Sequence, residues 1–573
     1  MTSRTAERVA GAIPLWRRWI PSPKAIVITL VLIAVIYLAL VPLWYMLWTT
    51  LFDATGFSFS GFERAYGDGQ IFELVGNSLQ FAVGTTVLSL VLGTAMAYVY
   101  TRTDAPFKGL LLATASIPLI IPGILYTIAW IFLASPQIGL VNKAIEPVLG
   151  PGFFNIFSVW GMVWVEGLHV APLVFLMMTA AFRSMDPSLE ESAQISGASQ
   201  ATVIRRIVLP LMRPAILGVV VIVLVRALES FEVPALLGVP DNIYLFTNRI
   251  FYVLTSYPAD YAAAGALAVG LLVFALVGVW LSSLATGSGR RYQTVSGKAF
   301  RPRQMRLGKW RMVTGAGILG TFLVAVAAPV GVLLYASLIP EYLPPSLEVI
   351  KRVTVSNYQA IFADSQTLNS LKNSIVLGIL SATIIMVVMA FVAFIIMRTR
   401  VPGRKLLEHI TMVPLVIPGL VMGMAIAFVY LRSPIPIYGT IWILVVAYVT
   451  RYMPYGMRYA MTSLQQISVE LEESAAVSGA SWLKTFRRVV LPLMMPGVIA
   501  GWTYILIVSF RELSSSILLY SPGSEVVAVT MFQQYNNGEF TAAAALGIFM
   551  IVILTVLILI GQKVGGRLGI RLD

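Results

Sequence analysis

A stretch of 26 residues occurs twice in this chain, from Leu189 to Pro214 and from Leu471 to Pro496. The copies read LEESAQISGASQATVIRRIVLPLMRP and LEESAAVSGASWLKTFRRVVLPLMMP, with 17 of the 26 positions identical at a separation of 282 residues. An internal repeat constrains the architecture more strongly than any local pattern, because each copy belongs to an equivalent structural unit. The chain is therefore predicted to contain two related halves, each presenting the same polar element between apolar segments.

The composition of the chain places both halves in a membrane. Hydrophobic residues make up 58% of the 573 residues and charged residues only 12%. Many windows of 18 or more residues are mostly apolar, as a helix that crosses a bilayer requires. The net charge of +14 would suit nucleic acid, but basic cytoplasmic loops explain it better, and we expect no nucleic-acid partner. The absence of cysteine excludes disulfides and thiolate chemistry.

Twelve apolar segments predict an all-α polytopic membrane protein with six membrane-spanning helices in each half. In the first half they lie at about 25–51, 78–101, 109–133, 157–182, 215–237 and 262–285. In the second half they lie at about 314–338, 373–397, 406–431, 438–462, 497–520 and 541–565. We therefore divide the chain into an N-terminal segment (1–24), a first half (25–285), a basic linker (286–313) and a second half (314–573).

The distribution of charge predicts which loops face the cytoplasm. The N-terminal segment is rich in arginine, and the apolar run after it is too long for a signal peptide and lacks a clear cleavage site. The first helix is therefore expected to keep its basic flank in the cytoplasm. Alternation from that point places both copies of the repeat, the linker and both chain termini on the cytoplasmic side.

The linker contains eight basic residues and no acidic residue. One interpretation is a flexible connector that fixes the topology and touches anionic lipid headgroups. The other is a docking site for a soluble partner. We favour the connector.

A second match extends the repeat beyond the duplicated loop. Three motif pairs, all 296 residues apart, are Asn77-Ser78 with Asn373-Ser374, Arg102 with Arg398, and the Pro-x-x-x-Pro-Gly segments that begin at Pro118 and Pro414. Because the separation falls to 282 at the loop, about 14 extra residues are expected in the first half, around 137–155. Equal span numbers and equal orientation indicate a parallel repeat, with a pseudo-two-fold axis along the membrane normal.

The repeated loop is predicted to form two short helices joined at a glycine. The first helix starts near Pro187 and ends at Gly197; the second is basic, and prolines after it mark the return to the bilayer. The loop could simply connect two spans, but exposed loop positions usually diverge after duplication, and here they match. The residues predicted to contact a partner are Glu190, Glu191, Ala193, Gly197, Arg205, Arg206, Pro210, Glu472, Glu473, Ala475, Gly479, Arg487, Arg488 and Pro492.

The pattern Glu-x-Ala-x-x-x-Gly, followed after nine residues by Ile-x-Leu-Pro, resembles the EAA loop of binding-protein-dependent ABC importer permeases. The residues that carry it are Glu191, Ala193, Gly197, Ile207, Leu209 and Pro210 in one copy and Glu473, Ala475, Gly479, Leu491 and Pro492 in the other. Ser192 and Ser474 depart from the motif at its second position, and Val489 departs from isoleucine. The resemblance covers nearly the full chain. It implies that the helix before each glycine docks into a cleft of an ATPase and transmits its opening and closing.

The same resemblance implies the partners and the location of the protein. No phosphate-binding Gly-x-x-x-x-Gly-Lys-Ser/Thr loop is present, since Gly297-Lys298 lacks the upstream glycine and the hydroxyl. ATP and magnesium are therefore expected on a separate ATPase, in two copies, and this chain is expected to hold no cofactor and not to be an enzyme. A periplasmic or lipoprotein substrate-binding protein would dock on the opposite face. Such a permease is a multi-pass protein of the bacterial cytoplasmic (inner) membrane, surrounded by lipid.

Ionisable residues inside predicted spans are candidates for function, because charge at the centre of a bilayer is costly. One interpretation is buried ion pairs between helices, for instance Glu166 with Arg451 or Glu229 with Arg511, and the other is a lining for the translocation pathway. The two histidines of the chain are too far apart to indicate a metal site. The candidate pathway residues are Glu166, His169, Arg226, Glu229, Glu232, Arg451, Arg511, Glu512 and Ser515.

The substrate is less constrained than the mechanism. Two fused six-span halves, with VRALESFEVPALLG in the first and RELSSSILLY in the second, most resemble the ferric-iron branch of these permeases. Relatives for thiamine, polyamines and phosphonates stay open, because the binding protein does most of the selection in this family. A twelve-span secondary transporter is the alternative of a different class, but it would not need two copies of one cytoplasmic loop. No sequence motif of a membrane enzyme is present.

Overall fold

The computed structural model describes residues 23–53, 56–67, 69–185, 188–286, 304–401 and 403–567. The predicted N-terminal segment up to residue 22, Pro187, most of the linker and the tail from 568 lie outside the described residues. Within the described ranges the fold is almost entirely helical, with one antiparallel pair of two-residue strands, β1 (Phe52–Asp53) and β2 (Gly56–Phe57). The prediction of an all-α polytopic membrane protein is confirmed.

The helices of the first half are α1 (Pro23–Leu51), α2 (Ser60–Tyr66), α3 (Ile71–Arg102), α4 (Lys108–Ile120), α5 (Gly123–Ala134), α6 (Leu140–Leu149), α7 (Val159–Ser184), α8 (Ser188–Ile195), α9 (Gln200–Val203), α10 (Leu209–Glu229), α11 (Phe246–Thr255) and α12 (Tyr261–Thr286). Those of the second half are α13 (Trp310–Phe322), α14 (Ala328–Ser337), α15 (Leu347–Ile350), α16 (Ser356–Ala363), α17 (Ser365–Arg398), α18 (Arg404–Met412), α19 (Gly419–Leu431), α20 (Ile441–Gln465), α21 (Val469–Val477), α22 (Trp482–Thr485), α23 (Leu491–Phe510), α24 (Ser516–Leu519), α25 (Val527–Asn536) and α26 (Phe540–Arg567).

In the part of the chain that the structure describes, nine helices are long and apolar enough to cross a membrane, or eleven if each of two bent pairs is one span. The third span of each half is such a pair, α4 with α5 and α18 with α19, bent by 111° and 108°. Both bends occur at the repeated Pro-x-x-x-Pro-Gly segment, because proline lacks the N–H that a continuous helix needs. The remaining predicted span, 438–462, is α20, which carries Arg451, Arg458 and several tyrosines and is not among the nine.

The repeat extends to individual hydrogen bonds. The hydroxyl of Ser78 accepts from the N–H of Phe246 at 3.3 Å, at the start of α11, and the hydroxyl of Ser374 accepts from the N–H of Val527 at 2.9 Å, at the start of α25. The main difference between the halves is α6, which lies between α5 and α7 and has no helical counterpart between α19 and α20. This is the place where the sequence predicts the extra residues.

The first span of each half packs against the bent span of the other half. α1 contacts α18 and α19, whereas α13 contacts α4 and α14 contacts α5. Tyrosine side chains tie these contacts together: Tyr37 Oη and Tyr430 Oη are 3.2 Å apart, and Tyr126 Oη donates to the carbonyl of Ala325 at 3.0 Å. The largest cluster of buried apolar side chains accordingly contains residues of both halves. The two halves therefore share the larger core.

The described end of the linker is held against the loop that follows α3. The N–H of Met305 donates to the carbonyl of Arg102 at 2.8 Å, and the carbonyl of Met305 accepts from the N–H of Asp104 at 3.0 Å. The carboxylate of Asp104 accepts from the N–H of Leu307 at 2.8 Å. The flexible connector predicted over 286–313 is therefore anchored to the first half at its described end, and its last residues belong to α13, which begins at Trp310. Residues 287–303 of the predicted connector lie outside the described residues.

The absence of cysteine makes the predicted orientation directly testable. Single cysteines in Glu191→Cys and Glu473→Cys, at exposed positions of the repeated loops, are expected to react with a membrane-impermeant maleimide only from the cytoplasmic side of sealed vesicles. The cysteine of Glu539→Cys, exposed between α25 and α26, is expected to react only from the other side. A Ser381→Cys variant is the control, because this fully buried position is expected to react only after denaturation. Labelling of either loop from the outside would contradict the topology.

Candidate functional site

The repeated loop begins with the same helix in both halves, α8 in the first and α21 in the second, which we call the loop helices. Each is followed by the glycine of the motif, Gly197 or Gly479, with φ angles of +86° and +77°. The residue after the glycine donates its N–H to the carbonyl of Ala193 in one copy and of Ala475 in the other, at 3.0 Å in both. This Schellman arrangement needs a left-handed residue, which glycine adopts without strain. The motif thus fixes the direction in which the chain leaves each loop helix.

The sequence predicted that the basic segment after the glycine forms a separate short helix. In the structure this segment is instead the first turns of the next span. α9 continues through a wide turn at 204–208 into α10, and α22 continues through one at 486–490 into α23. These wide turns accommodate Pro210 and Pro492, which follow directly and lack an N–H. The basic side chains of this segment are exposed at Arg205, Arg206, Arg487 and Arg488. Each loop therefore joins its fifth span without a break in the helix.

The two adjacent glutamates of each loop helix face different ways. Glu190 is buried and Glu472 is half-buried, both against the membrane helices, whereas Glu191 and Glu473 are exposed. The glutamates of the recognised motif are therefore the exposed ones, accessible to another protein. Their neighbours are held within the chain.

An apolar side chain stands out at the tip of each loop helix. Ile195 is 87% exposed and Val477, at the equivalent position of the repeat, is 90% exposed. Strongly exposed apolar groups at equivalent positions of both loops indicate a protein-binding surface. These two residues are not among those predicted from the sequence, although an apolar residue at the same place in both copies was a sufficient signal.

Each inward-facing glutamate meets an arginine at the end of the second span. Arg102 Nη2 lies 3.2 Å from Glu190 Oε1, and Arg398 Nε lies 2.6 Å from Glu472 Oε1. Burial raises the pKa of Glu190, and the positive charge of Arg102 opposes that rise. The sequence matched Arg102 with Arg398 only as evidence of duplication. Their contact with the loops was missed, since a spacing in sequence does not report which elements meet.

The candidate pathway residues lie where the fifth span of each half ends. α10 ends at Glu229 and α23 ends before Arg511, so both helices end earlier than the predicted segments 215–237 and 497–520. Glu232 lies in the segment after α10, and Glu512 in the segment after α23. Charged side chains of the two halves are brought together at these two helix ends.

Arg451, in α20, joins carboxylates from both halves. Its Nη2 lies 3.7 Å from Glu229 Oε2, and its Nε lies 3.2 Å from Glu512 Oε2. Glu512 is held further by the hydroxyl of Tyr452, which donates to Oε2 at 2.5 Å, and by the N–H and hydroxyl of Ser515, which donate to Oε1 at 2.9 Å. The side chain of Arg451 is only 11% exposed, so it neutralises charge in the protein interior.

Arg511 makes the corresponding contact with the first half. Its Nη2 lies 3.3 Å from His169 Nε2, and its Nη1 donates to the carbonyl of Leu119. His169 Nε2 also lies 3.3 Å from the carbonyl of Ile121. Both carbonyls belong to the bend between α4 and α5, where proline interrupts the regular helical hydrogen bonds. The bend thus presents main-chain oxygen to a cationic side chain inside the membrane.

The contacts that Arg451 and Arg511 make with the first half occupy equivalent positions of the repeat. His169 and Arg451 are equivalent in the repeat, as are Glu229 and Arg511, so Arg451 with Glu229 corresponds to His169 with Arg511. In each, a residue of the fourth span meets the end of the fifth span of the other half. The ion pair Glu229 with Arg511 that the sequence suggested is wrong, because Glu229 contacts Arg451 and Arg511 contacts His169. The suggested pair of Glu166 with Arg451 is also wrong, since Arg451 contacts Glu229.

The other candidate pathway residues have different surroundings. Glu166 accepts from the hydroxyl of Ser230 at 3.2 Å and is buried, whereas Arg226 is exposed and Glu232 is half-buried. Within the described ranges, no group of three or more histidine, aspartate and glutamate side chains is arranged to hold a metal ion.

Space for Arg451 is provided by a glycine of the second bend. A Cβ atom at Gly419 would lie 1.5 Å from Arg451 Nη1, so no other residue fits there while the arginine keeps its place. At the equivalent Gly123, a Cβ atom would lie 3.5 Å from His169 Cε1, an ordinary contact distance. The requirement for glycine is therefore strict only where the repeat carries arginine.

Replacing Arg451 by methionine is expected to destabilise the chain by about 3–5 kcal/mol, because Glu229 and Glu512 would lose the buried positive charge that they share. Thermal unfolding of the purified chain in detergent measures the change. Adding Glu512→Gln to Arg451→Met is expected to restore part of the loss, because one uncompensated charge is removed. Equal stability of the wild type and Arg451→Met would show that the ion contacts are not needed to hold the halves together.

Comparisons with known proteins agree with the duplication. Residues 89–294 and 374–569 each match the family described as binding-protein-dependent transport system inner membrane component. The chain is 26% identical over 514 residues to the ferric transport system permease protein FbpB of Actinobacillus pleuropneumoniae, covering 89% of this chain and 73% of that protein. It is 21% identical over 484 residues to the Fe(3+)-transport system permease protein FbpB 2 of Haemophilus influenzae, covering 84% of this chain and 87% of that protein.

Among solved structures, a bacterial ABC transporter involved in the import of the acidic polysaccharide alginate aligns with 45% of this chain and 96% of its own, at 20% identity and a TM-score of 0.37. This similarity is too low to add to the assignment. The two family matches, in contrast, fall in the two halves of the chain, and each contains one copy of the repeated loop. The chain therefore belongs to the family of binding-protein-dependent transport system inner membrane components and is the permease of an ABC importer.

Proposed function

We propose that this permease carries ferric iron from a periplasmic binding protein into the cytoplasm, driven by two copies of a separate ATPase. The observation that supports iron is the similarity to permeases named for ferric transport, which extends over 84% and 89% of the chain. In this proposal ATP and magnesium bind to the ATPase, and the permease contributes the passage. Both chain termini face the cytoplasm.

The two loop helices are evidence in favour of two ATPase subunits. Each presents an exposed glutamate and an exposed apolar side chain in the same arrangement, with exposed arginines in the segment that follows. Two equivalent surfaces suit two copies of one partner, in accordance with the pseudo-two-fold axis of the permease. The continuous helix from each loop into its fifth span gives a displaced loop a direct connection to the end of that span.

The contacts between the halves support a pathway along the pseudo-two-fold axis. The fifth spans end at Glu229 and next to Arg511, and each end touches the fourth span of the other half. Separation of the halves would remove Arg451 from Glu229, whereas Glu512 stays beside it in the same half. The carboxylate of Glu229 would then face the opening, and its negative charge favours a cationic cargo. We assign Glu166, Arg226 and Glu232 to the same passage. Glu166 shares α7 with His169 and Arg226 shares α10 with Glu229, while Glu232 follows the end of α10.

Reconstitution in liposomes tests the proposal. The permease with its ATPase is expected to hydrolyse ATP faster, and to take up radiolabelled iron, when an iron-loaded ferric-binding protein is supplied, whereas the empty protein stimulates less. Loaded binding proteins for thiamine, a polyamine and a phosphonate are the matched comparisons and are expected to have no effect. Stimulation by one of these instead of the iron protein would replace the substrate, and uptake without ATP would contradict the coupling.

The pathway residues are tested by uptake in charge-neutral variants. Glu229→Gln, Glu232→Gln and Arg511→Met are each expected to reduce uptake, because each removes a charge next to the contact between the halves. Thermal stability measured on the same preparations separates this effect from unfolding. Normal uptake in all three variants would remove these residues from the pathway.

A further inference from the structure

We propose that Arg102 and Arg398 are positioning residues that couple each loop helix to the membrane helices. The inference rests on the proposed function, in which the loops receive the ATPase. We use the term arginine bridge for each of these arginines together with the glutamate and main-chain carbonyls that it contacts. Through these bridges, movement of a loop helix is transmitted to the membrane-spanning helices.

Each arginine bridge joins three helices. Arg102 and Arg398 are the last residues of α3 and α17. Arg102 Nη2 donates to the carbonyl of Phe182 at 3.0 Å, at the end of α7, and also contacts Glu190 of α8. Arg398 Nη2 donates to the carbonyl of Leu464 at 3.1 Å, at the end of α20. The second span, the fourth span and the loop helix of each half therefore meet at one guanidinium.

The chemistry of the bridge requires arginine. The last carbonyls of a helix have no partner within it and carry partial negative charge. Arg398 Nη2 also donates to the carbonyl of Ile467 at 2.6 Å, while its Nε faces Glu472. A planar guanidinium offers donors in several fixed directions, whereas an ammonium group is a point charge. One arginine thus satisfies the helix end and the carboxylate together.

The loop helices depend on the bridges because they have little other packing. Among the described residues, α8 packs mainly against α9 and the turn at 204–208, and α21 against α22 and the turn at 486–490. These are parts of the same loop. Through them a loop helix reaches its fifth span, and through the arginine bridge it reaches the second and fourth spans. With both connections, the loop moves the three spans together.

The bridge also explains why two glutamates stand side by side in each loop. Glu190 and Glu472 are held by the arginines, whereas Glu191 and Glu473 stay exposed. Consecutive residues of a helix point about 100° apart, so one acid faces the membrane helices while the next faces the partner. The pair therefore serves one contact inside the chain and one outside it.

The experiment measures substrate transported per ATP hydrolysed in the reconstituted complex of permease, ATPase and binding protein. This ratio is expected to fall in both Arg398→Gln and Glu472→Gln, while the ATPase still co-purifies and hydrolyses ATP. The fall is expected to be roughly tenfold in the arginine variant, which is within the range of interaction energies between contacting residues. Glu472→Gln is expected to lose less, because the arginine keeps its carbonyls, and the double variant is expected to be no worse than Arg398→Gln alone. Arg398→Lys is expected to restore part of the ratio.

Arg400→Gln is the matched control, because Arg400 is exposed two residues beyond the bridge. If Arg398→Gln does not fold, Glu472→Gln carries the test, since it removes only the ion contact. A normal ratio of transport to ATP hydrolysis in the bridge variants would overturn the inference. Loss of ATPase binding in these variants would also overturn it, because the bridge would then only shape the loop. If the wild-type permease itself binds no ATPase, the proposed function fails. Failure of the proposed function is therefore seen in the wild type, whereas failure of the inference alone is seen only in the variants.

Discussion

The association of the two halves of this permease depends on how Arg451 is accommodated between them. Arg451 is a charged side chain inside a membrane domain, and such a group is stable only when opposite charge or main-chain oxygen lies close to it. The structure supplies Glu512 from the same half and Glu229 from the other. Gly419, the first residue of α19, leaves the space for Arg451, and the bend before this helix follows from proline. Helix breaks, charge pairing and the contact between the halves are therefore parts of one arrangement.

The same arrangement recurs about the pseudo-two-fold axis, but with different chemistry. His169 replaces Arg451, and Arg511 replaces Glu229, so one contact is an ion pair and its equivalent joins an arginine to a histidine and to carbonyls of the bend between α4 and α5. Duplication preserved the geometry, whereas the side chains diverged. Fusion of both halves in one chain permits this, because each position can change without its counterpart, which two copies of a single half could not do.

Much of this fold could be predicted from the sequence. The repeat, the apolar segments and the glycine at the end of each loop helix follow from local patterns, and the structure agrees with them. The sequence could not predict the sharp bends at Pro122 and Pro418, because proline in a membrane helix is compatible with a modest kink as well as with a turn. It also could not predict the partners of Arg451 and Arg102, since these depend on how distant helices pack. Exposure of Ile195 was missed because apolar residues in loop helices are more often buried.

The crossed packing of the first spans has a consequence for biogenesis. α4 and α5 are covered by α13 and α14, which the ribosome makes some two hundred residues later. Until then, the apolar faces of α4 and α5 are in contact with lipid, which tolerates them, but Arg511 has not yet reached the carbonyls of their bend. α1 likewise waits for α18 and α19. Insertion of the first half and its final folding are therefore separate events, because the first half is completed only after these helices of the second half have been made.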